Sequence, residues 1–319
     1  MLRMNDFAYT RARTWEEALS LYEPGAVYVA GGTDILPNVK HRLVKPARVI
    51  GIAGIPGGIE LGEALVIGAT TSLQSIADSE IVRRLLPPLA QAAGLVAGPQ
   101  IRNMGTLGGN VLLDTRCLYL NQTEGWRTAL GYCLKAEGSW CHVVGGPKTC
   151  VAAQSSDTVP VLLALDARLR LLGPSGRREL GIRDLYLFNG MDHLAIEKGE
   201  LLTEIVVPRP AAGFVGSYQK LRTRDSIDFP QLGLAIVAEL REATLAALTI
   251  VVGAANPQPK PVRGLESFVG QPLSTANIEA IADLVYKQTR PQGSVHGSEA
   301  WRRQMARVLA RRGLAALGG

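Results

Sequence analysis

Four cysteines are the residues of this sequence whose type and spacing point most directly to chemistry. Cys117, Cys133, Cys141 and Cys150 all lie between positions 117 and 150 of a 319-residue chain. Random placement would bring four cysteines this close with a probability of about half a percent. Thiolates bind metals, and disulfides are disfavoured in a reducing cytosol, so the cluster predicts a metal or iron–sulfur centre.

The gaps between the cysteines bear on the kind of centre. Four thiolates suit either Zn²⁺ or a [4Fe–4S] cluster. Zinc sites usually contain close C-x₂₋₄-C pairs, whereas these cysteines are separated by 15, 7 and 8 residues, which favours iron–sulfur. His142 offers a Cys₃His alternative, although a solvated or hydrogen-bonded histidine is the simpler interpretation. Buried thiols packed as small hydrophobic groups are a further alternative.

Two glycine-rich stretches follow apolar, strand-like runs. The first is Ala30–Asp34, and the second extends from Gln100 to Asn110. Glycines let the backbone turn sharply, and successive N–H groups in such turns form anion-binding nests. Neither stretch is a Rossmann G-x-G-x-x-G or a Walker A motif. Each alone is more simply an ordinary turn, but together they predict one shared dinucleotide site.

Composition and charge exclude several classes of protein. Hydrophobic residues make up 47% and charged residues 19%, which is typical of a globular chain. The longest apolar stretch, about 243–255, is interrupted and too short to span a bilayer. No apolar segment of a signal peptide follows the first residue, so we expect a cytoplasmic protein without a membrane span. The net charge of +6 comes with few aromatic residues and no nucleic-acid motif, so nucleic-acid binding is not predicted.

Hydrophobic periodicity predicts the elements that must position these residues. Thr14 and Glu17 form a capping box for a helix through Leu21, helices follow over 72–95, and residues 98–110 are expected to form a loop. Two amphipathic helices are predicted near the C-terminus, around 278–285 and 301–309. Strands are predicted at 27–30, 48–52, 65–69, 161–165, 168–172, 201–208, 216–221, 232–240 and 245–253. Strands and helices do not alternate regularly, so the predicted class is α+β.

Several motifs resemble a known family. They are AGGTD at 30–34, IGATTS at 67–72, QIRNMGTLGGN at 100–110, SSDTVPVLLALDA at 155–167, YQKLRTRDSIDF at 218–229 and SEAWRRQMARVLARRGL at 298–314. Together they resemble the FAD-binding subunits of the xanthine oxidase/molybdenum hydroxylase family. The stretch between Asn110 and Ser155, which holds every cysteine, resembles the β subunits of 4-hydroxybenzoyl-CoA reductases, whose extra loop carries a [4Fe–4S] cluster.

The resemblance implies a role for each candidate site residue. FAD would be bound by Val29, Ala30, Gly31, Gly32, Thr33, Asp34, Ile35, Leu36, Thr106, Gly109, Asn110, Asp157, Leu202 and Lys220. The first loop would wrap the diphosphate, Asp157 would hydrogen-bond the flavin nucleotide, and Leu202 and Lys220 would line the isoalloxazine region. The cluster ligands would be Cys117, Cys133, Cys141 and Cys150.

The resemblance also implies a domain organisation. It is a two-part FAD-binding domain of the PCMH type over residues 1–212, followed by a smaller C-terminal domain of antiparallel sheet plus helices over 213–319. The subdomains of the first would cover about 1–63 and 64–212, with the cysteine-rich insertion at about 114–152.

The expected function is electron transfer in a larger enzyme. FAD and the [4Fe–4S] cluster would connect a ferredoxin donor to a small [2Fe–2S] subunit and a large molybdopterin subunit, which would remove the phenolic hydroxyl from 4-hydroxybenzoyl-CoA. The alternative is the FAD subunit of another molybdenum hydroxylase, acting on xanthine, an aldehyde or carbon monoxide. A zinc-stabilised structural protein without a redox role is a further alternative.

Overall fold

The computed structural model describes residues 3–293 and 297–317, and these form three β-sheets with helices packed against them. This mixture of largely antiparallel sheets and helices confirms the predicted α+β class. In the described part of the chain, no helix has the length and apolar character needed to cross a membrane.

The first unit is a small parallel sheet with strand order β1-β3-β2. Its elements are β1 (Ala8–Arg11), α1 (Trp15–Ser20), β2 (Ala26–Val29), α2 (Ile35–Lys40) and β3 (Arg48–Gly51). Helix α1 begins as the capping pattern predicts, because the Glu17 amide donates to Thr14 Oγ1 at 3.1 Å. The chain passes from β2 into α2 through the first glycine-rich stretch, so two regular elements hold that loop at both ends.

The second unit is an antiparallel sheet with strand order β4-β5-β8-β6-β7 and several short helices. Its elements are β4 (Ile59–Leu61), β5 (Ala64–Gly68), α3 (Leu73–Asp78), α4 (Glu80–Leu85), α5 (Pro87–Gly94), α6 (Pro99–Met104), α7 (Leu107–Val111), α8 (Glu124–Ala129), α9 (Thr158–Ala164), β6 (Arg168–Gly173), β7 (Gly176–Gly181), α10 (Ile182–Leu185) and β8 (Leu201–Pro208). The core between this sheet and helices α3, α5 and α9 contains Leu65, Ile67, Leu89 and Leu162, all essentially inaccessible to solvent.

Two local predictions in this unit are wrong. The apolar run Val161–Leu165 belongs to helix α9 and not to a strand. Every residue of α9 is buried, and a fully buried helix shows the same continuous apolar run as a buried strand. The stretch 98–110 contains helices α6 and α7, which begin at Pro99 and after the N-cap Thr106. Short helices with several glycines lack the periodicity that would predict them.

The third unit is an antiparallel sheet with strand order β12-β11-β10-β9, covered by two long helices. Its elements are β9 (Phe214–Leu221), β10 (Leu232–Arg241), β11 (Thr244–Gly253), β12 (Lys260–Pro261), a 3₁₀ helix (Leu265–Phe268), α11 (Thr275–Gln288) and α12 (Glu299–Ala315). The predicted apolar face of α11 packs in the core through Ile281 and Val285. The face predicted for α12 from Trp301, Met305, Val308 and Leu309 is wrong except at Leu309: Trp301 is 43% exposed, and the helix packs through Ala306, Leu309, Ala310 and Leu314. The turn between β9 and β10 extends towards the second unit, since the Ile227 amide donates to Ala97 O at 3.1 Å.

The cysteine-rich segment, residues 114–152, is built mostly from turns. Its one helix in the described structure is α8, and the rest consists of turns, bends and isolated bridges. The backbones of Arg116 and Ala153 exchange two hydrogen bonds of 2.9 Å, which close the segment at its base. The segment is therefore a large loop with fixed ends, held to the second unit where α7 ends and α9 begins.

Candidate functional site

A cavity of about 480 Å³, here called the flavin cavity, lies where the three units meet. Its walls come from the loop after β2, the start of α2, helix α7, the start of β8 and the turn between β9 and β10. The predicted residues on its wall are Ala30, Gly31, Gly32, Thr33, Asp34, Ile35, Thr106, Gly109, Asn110, Asp157 and Leu202. A cavity of this size is within the range typical of cofactor sites.

The first glycine-rich loop needs its glycines for two reasons. A Cβ atom on Gly31 would lie 1.8 Å from the carbonyl oxygen of Met104, so only glycine lets this loop approach the second one. Gly32 has a φ of +71°, a left-handed conformation that glycine adopts at little cost. The two predicted loops thus touch through their backbones, and together they form one wall of the cavity.

The second loop presents a polar wall. Thr106 caps α7 by accepting a 3.1 Å hydrogen bond from the Gly109 amide. The buried Asn110 Oδ1 accepts hydrogen bonds from Ser156 Oγ at 2.6 Å and Thr158 Oγ1 at 2.7 Å. These contacts fix the amide plane, and they leave the Nδ2 group as the donor that a ligand can use.

Two hydroxyl groups on the cavity wall indicate a polar ligand. Thr70 Oγ1 and Ser155 Oγ are buried, and within the described residues neither has a hydrogen-bond partner. A buried polar atom without a partner costs free energy, so such atoms normally bond to a ligand or to water. Together with the glycine loops, these groups fit a large polar cofactor such as FAD.

Asp157 and Lys220 form an ion pair at the back of the cavity. Lys220 Nζ donates to Asp157 Oδ2 at 2.9 Å and to the Leu95 carbonyl at 2.9 Å, and Tyr218 donates to Asp157 Oδ1 at 2.8 Å. Burial raises the pKa of Asp157 above its usual value, and Lys220 and Tyr218 oppose this rise. Three residues expected at the cofactor site are not on the wall: Val29, Leu36 and Lys220.

Sequence reasoning missed several wall residues. Trp15, Tyr28 and Glu200 come from separate elements and belong to no motif. Tyr28 donates to the Gly199 carbonyl at 3.0 Å, and burial raises its pKa to about 12. Burial raises the pKa of Glu200, but hydrogen bonds from Arg178 at 2.6 and 2.7 Å, a hydrogen bond from the Glu197 amide at 3.0 Å and the charge of Arg178 together hold it below its usual value.

The turn between β9 and β10 supplies further wall residues that sequence reasoning did not single out. They are Ile227, Asp228 and Phe229. Ile227 and Phe229 are also exposed, by 61% and 51%, so the mouth of the cavity has an apolar rim. These positions lie inside the motif at 218–229, which was the only indication of them in the sequence.

The four cysteines line a second, much smaller cavity, here called the cysteine cavity. All four are free thiols, and Cys133, Cys141 and Cys150 are buried. Tight turns hold two of them: the amides of Ala136 and Gly138 donate to Cys133 O at 2.8 and 2.9 Å, and the Cys141 amide donates to the Gly146 carbonyl at 2.7 Å. Cysteines that are distant in sequence are thus brought to one point.

The thiols lie in a largely buried environment. Burial raises the pKa of Cys117 to about 11, and burial also raises that of Cys150. His142 Nε2 lies 2.7 Å from the Tyr132 carbonyl oxygen, within hydrogen-bond distance. This agrees with the interpretation of His142 as a hydrogen-bonded histidine. Among the described residues, no set of three or more His, Cys, Asp or Glu side chains is arranged to hold a single metal ion.

One ion pair joins the walls of the two cavities. Asp114 lines the flavin cavity, and Lys135 lines the cysteine cavity. Lys135 Nζ donates to Asp114 Oδ1 at 2.5 Å, to Thr115 Oγ1 at 2.5 Å and to the Gly190 carbonyl at 2.9 Å. Since Asp114 and Cys117 are three residues apart, their Cα atoms lie within about 11 Å of each other.

Comparison with known proteins identifies relatives across the whole chain. Residues 5–210 match the family described as the FAD binding domain in molybdopterin dehydrogenase. Residues 216–317 match the CO dehydrogenase flavoprotein C-terminal domain. The two matches adjoin at the junction of β8 and β9, where the second unit gives way to the third.

Individual relatives agree with these matches. The chain is 28% identical to a xanthine dehydrogenase FAD-binding subunit of Escherichia coli, with 99% of both chains covered. It is 34% identical to an aldehyde oxidoreductase FAD-binding subunit of Escherichia coli, over 74% of this chain and 78% of the relative. In a solved carbon monoxide dehydrogenase from Hydrogenophaga pseudoflava, a chain with 28% identity superposes with a TM-score of 0.79, covering 99% of this chain and 98% of that one.

Proposed function

This chain belongs to the FAD-binding subunits of the molybdenum hydroxylase family, and we propose that it relays electrons between FAD and the other redox centres of a multi-subunit enzyme. The observation that carries the proposal is the flavin cavity, where two glycine loops in contact share a wall with two buried hydroxyls that have no hydrogen-bond partner among residues 3–293 and 297–317. We place FAD in this cavity and assign residues 1–212 and 213–319 as the two domains.

The chain's own groups would hold and orient the cofactor. FAD, when bound, supplies exchange of one or two electrons. Backbone N–H groups of the first loop would bind the diphosphate, and Asn110 Nδ2, Thr70 and Ser155 would donate further hydrogen bonds. The buried Asp157–Lys220 pair would keep the back wall rigid, and Ile227 and Phe229 would limit the access of water. No group in this cavity is assigned to bind the organic substrate.

The partners follow from this role. We propose a large molybdopterin subunit that holds the substrate site and a small [2Fe–2S] subunit that passes electrons to or from this chain. The relatives include a medium chain of carbon monoxide dehydrogenase, which is consistent with a complex of several subunits. We place the assembly in the cytoplasm. The substrate would be of the xanthine, aldehyde or carbon monoxide class if electrons leave through this chain.

Titration of the cofactor-free protein with FAD tests the proposal. We expect one FAD per chain, with a change in flavin fluorescence on binding. A chain that leaves FAD fluorescence unchanged and releases all flavin on gel filtration would contradict it.

A second function is favoured by one specific observation, the cysteine cavity. We propose that Cys117, Cys133, Cys141 and Cys150 ligate a [4Fe–4S] cluster, in which each thiolate binds a separate iron and the sulfurs need not surround one ion. The buried Lys135 ammonium on the wall would balance part of the negative charge of four thiolates. The Asp114–Lys135 contact would then join the cluster site to the flavin site.

With the cluster present, the proposed enzyme resembles a 4-hydroxybenzoyl-CoA reductase. Electrons from ferredoxin would enter through this chain, and two electrons and two protons would convert the phenolic substrate to benzoyl-CoA and water. Reconstituting the three subunits and supplying reduced ferredoxin tests this direction. Formation of benzoyl-CoA would support it. Oxidation of xanthine, an aldehyde or carbon monoxide, without any dehydroxylation, would contradict it and would assign the chain to an oxidising molybdenum hydroxylase.

A further inference from the structure

Arg116 connects the cysteine-rich segment to the first glycine loop. Its guanidinium donates to Asp34 Oδ1, to Asn38 Oδ1 at 2.8 Å and to Asn121 Oδ1 at 3.1 Å. Asp34 and Asn38 both line the flavin cavity, whereas Arg116 does not. The Arg116 side chain is only 13% exposed, so this contact is largely shielded from solvent.

The charge of Asp34 presents a difficulty that Arg116 resolves. A carboxylate on the wall of a site for a diphosphate repels the ligand, and the repulsion is strong where solvent screening is weak. Asp34 Oδ1 accepts from Arg116, and Asp34 Oδ2 accepts from Asn38 Nδ2 at 3.0 Å. Both carboxylate oxygens are therefore occupied, and the negative charge is paired with a guanidinium.

The same guanidinium contacts another part of the cavity wall. Arg116 Cζ lies 5.9 Å from the centre of the Phe229 ring, a distance at which a cation and an aromatic face attract each other. Phe229 belongs to the turn between β9 and β10, so Arg116 contacts wall residues of the first and third units. Glu124 forms other ion pairs at the same interface, with Arg42 at 2.9 Å and with Lys45 at 3.4 Å, and none of these three residues is on the cavity wall.

We propose that Arg116 is a positioning residue for FAD, which neutralises Asp34 and holds the first loop in its binding conformation. The cysteine-rich segment thereby has a second role beside its thiols, as a clamp on the flavin loop. The inference rests on the proposal that FAD occupies the flavin cavity, but it does not depend on a cluster in the cysteine cavity.

A double-mutant cycle tests the inference. The dissociation constant of FAD is measured by fluorescence titration of the cofactor-free protein for wild type, Arg116→Gln, Asp34→Asn and the double variant. We expect Arg116→Gln to weaken FAD about tenfold, because it leaves Asp34 unpaired, and to cost less than about twofold in the Asp34→Asn background. Raising the salt concentration is expected to reduce the loss in Arg116→Gln, since repulsion is screened.

Two further variants make the result specific. Arg116→Lys keeps the charge that pairs with Asp34 but loses the planar guanidinium, so it is expected to weaken FAD less than Arg116→Gln does. Glu124→Gln removes the ion pairs with Arg42 and Lys45 at the same interface and is expected to leave FAD affinity unchanged, since neither pair contacts the cavity wall. Melting temperatures of the four proteins of the cycle establish that each is folded.

The outcomes separate this inference from the proposed function. If Arg116→Gln weakens FAD equally in both backgrounds, Arg116 has only a general structural role and the inference is wrong. The same holds if Arg116→Gln binds FAD as tightly as wild type. If wild type itself binds no FAD, the proposed function fails, whatever the variants do.

Discussion

The flavin cavity and the cysteine cavity lie on either side of residues 114–117, yet they are built in different ways. The flavin cavity lies among β2, α2, α7 and β8, and the glycines of two tight loops lie on its wall. The cysteine cavity is held by turns, and its wall contains the four cysteines with Lys135 and His142. The first site should therefore respond most to backbone changes, and the second to loss of single side chains.

The largest effect is expected from Cys133→Ser. A serine hydroxyl is a poor replacement for a thiolate ligand, so iron should fall from about four per chain to below about one. Cys133 is not among the residues on the flavin-cavity wall, so the ratio of FAD to protein should not change. Iron and flavin analysis of one preparation measures both quantities. Iron equal to wild type would rule out the four-cysteine ligand set.

Gly31→Ala is expected to have the next largest effect. The added methyl group would lie 1.8 Å from the Met104 carbonyl oxygen, which forces the two loops apart. FAD affinity should fall about a hundredfold, while iron content is unchanged. Gly58→Ala is the matched control, because its added methyl group meets no atom within 4 Å. Equal FAD affinities of the two variants would show that the contact of the loops is not required.

Asn110→Ala should weaken FAD by a smaller factor. It removes the Nδ2 donor and leaves Ser156 and Thr158 without their shared acceptor. We expect a loss of about tenfold in FAD affinity, which corresponds to one hydrogen bond and some rearrangement of the wall. The flavin:protein ratio after gel filtration reports how much FAD the variant retains. A ratio equal to wild type would contradict the role of Asn110 in binding FAD.

Lys135→Met is expected to have the smallest effect. It tests the ion pair that joins the walls of the flavin cavity and the cysteine cavity. It removes the ammonium that lies between the cavities and leaves Asp114, which is 42% exposed, to bond to water. We expect the free energy of unfolding to fall by about 1–2 kcal/mol and iron retention to decline, with FAD affinity within about twofold of wild type. Lys148→Met, at an exposed position of the same segment, is the control. A loss of FAD without a loss of iron would show that Lys135 supports the flavin site and not the cluster site.

Sequence reasoning predicted the regular elements best where packing follows a simple period. The strands at 201–208, 232–240 and 245–253 were predicted within one residue, because each is a long apolar run bounded by turns. Helix α9 was missed because it is buried all round. The glycine loops were found because adjacent glycines after a strand are typical of a tight turn or of a close backbone approach.

The site was less predictable than the fold. Trp15, Tyr28 and Glu200 reach the flavin cavity only through the packing of separate units, which no local pattern encodes. Lys220 was expected on the cavity wall, but only its ion-pair partner Asp157 is among the wall residues. The cysteines could be grouped by sequence alone, whereas their convergence on one cavity depends on the turns of the segment.

The most direct test of the account is the cofactor content of wild-type protein purified without oxygen. Flavin, iron, acid-labile sulfide and zinc are measured in one sample. The account predicts one FAD with about four irons and four sulfides per chain. Flavin without iron would leave the chain's role as an FAD subunit intact and contradict the proposed cluster. Zinc without flavin would contradict the central claim.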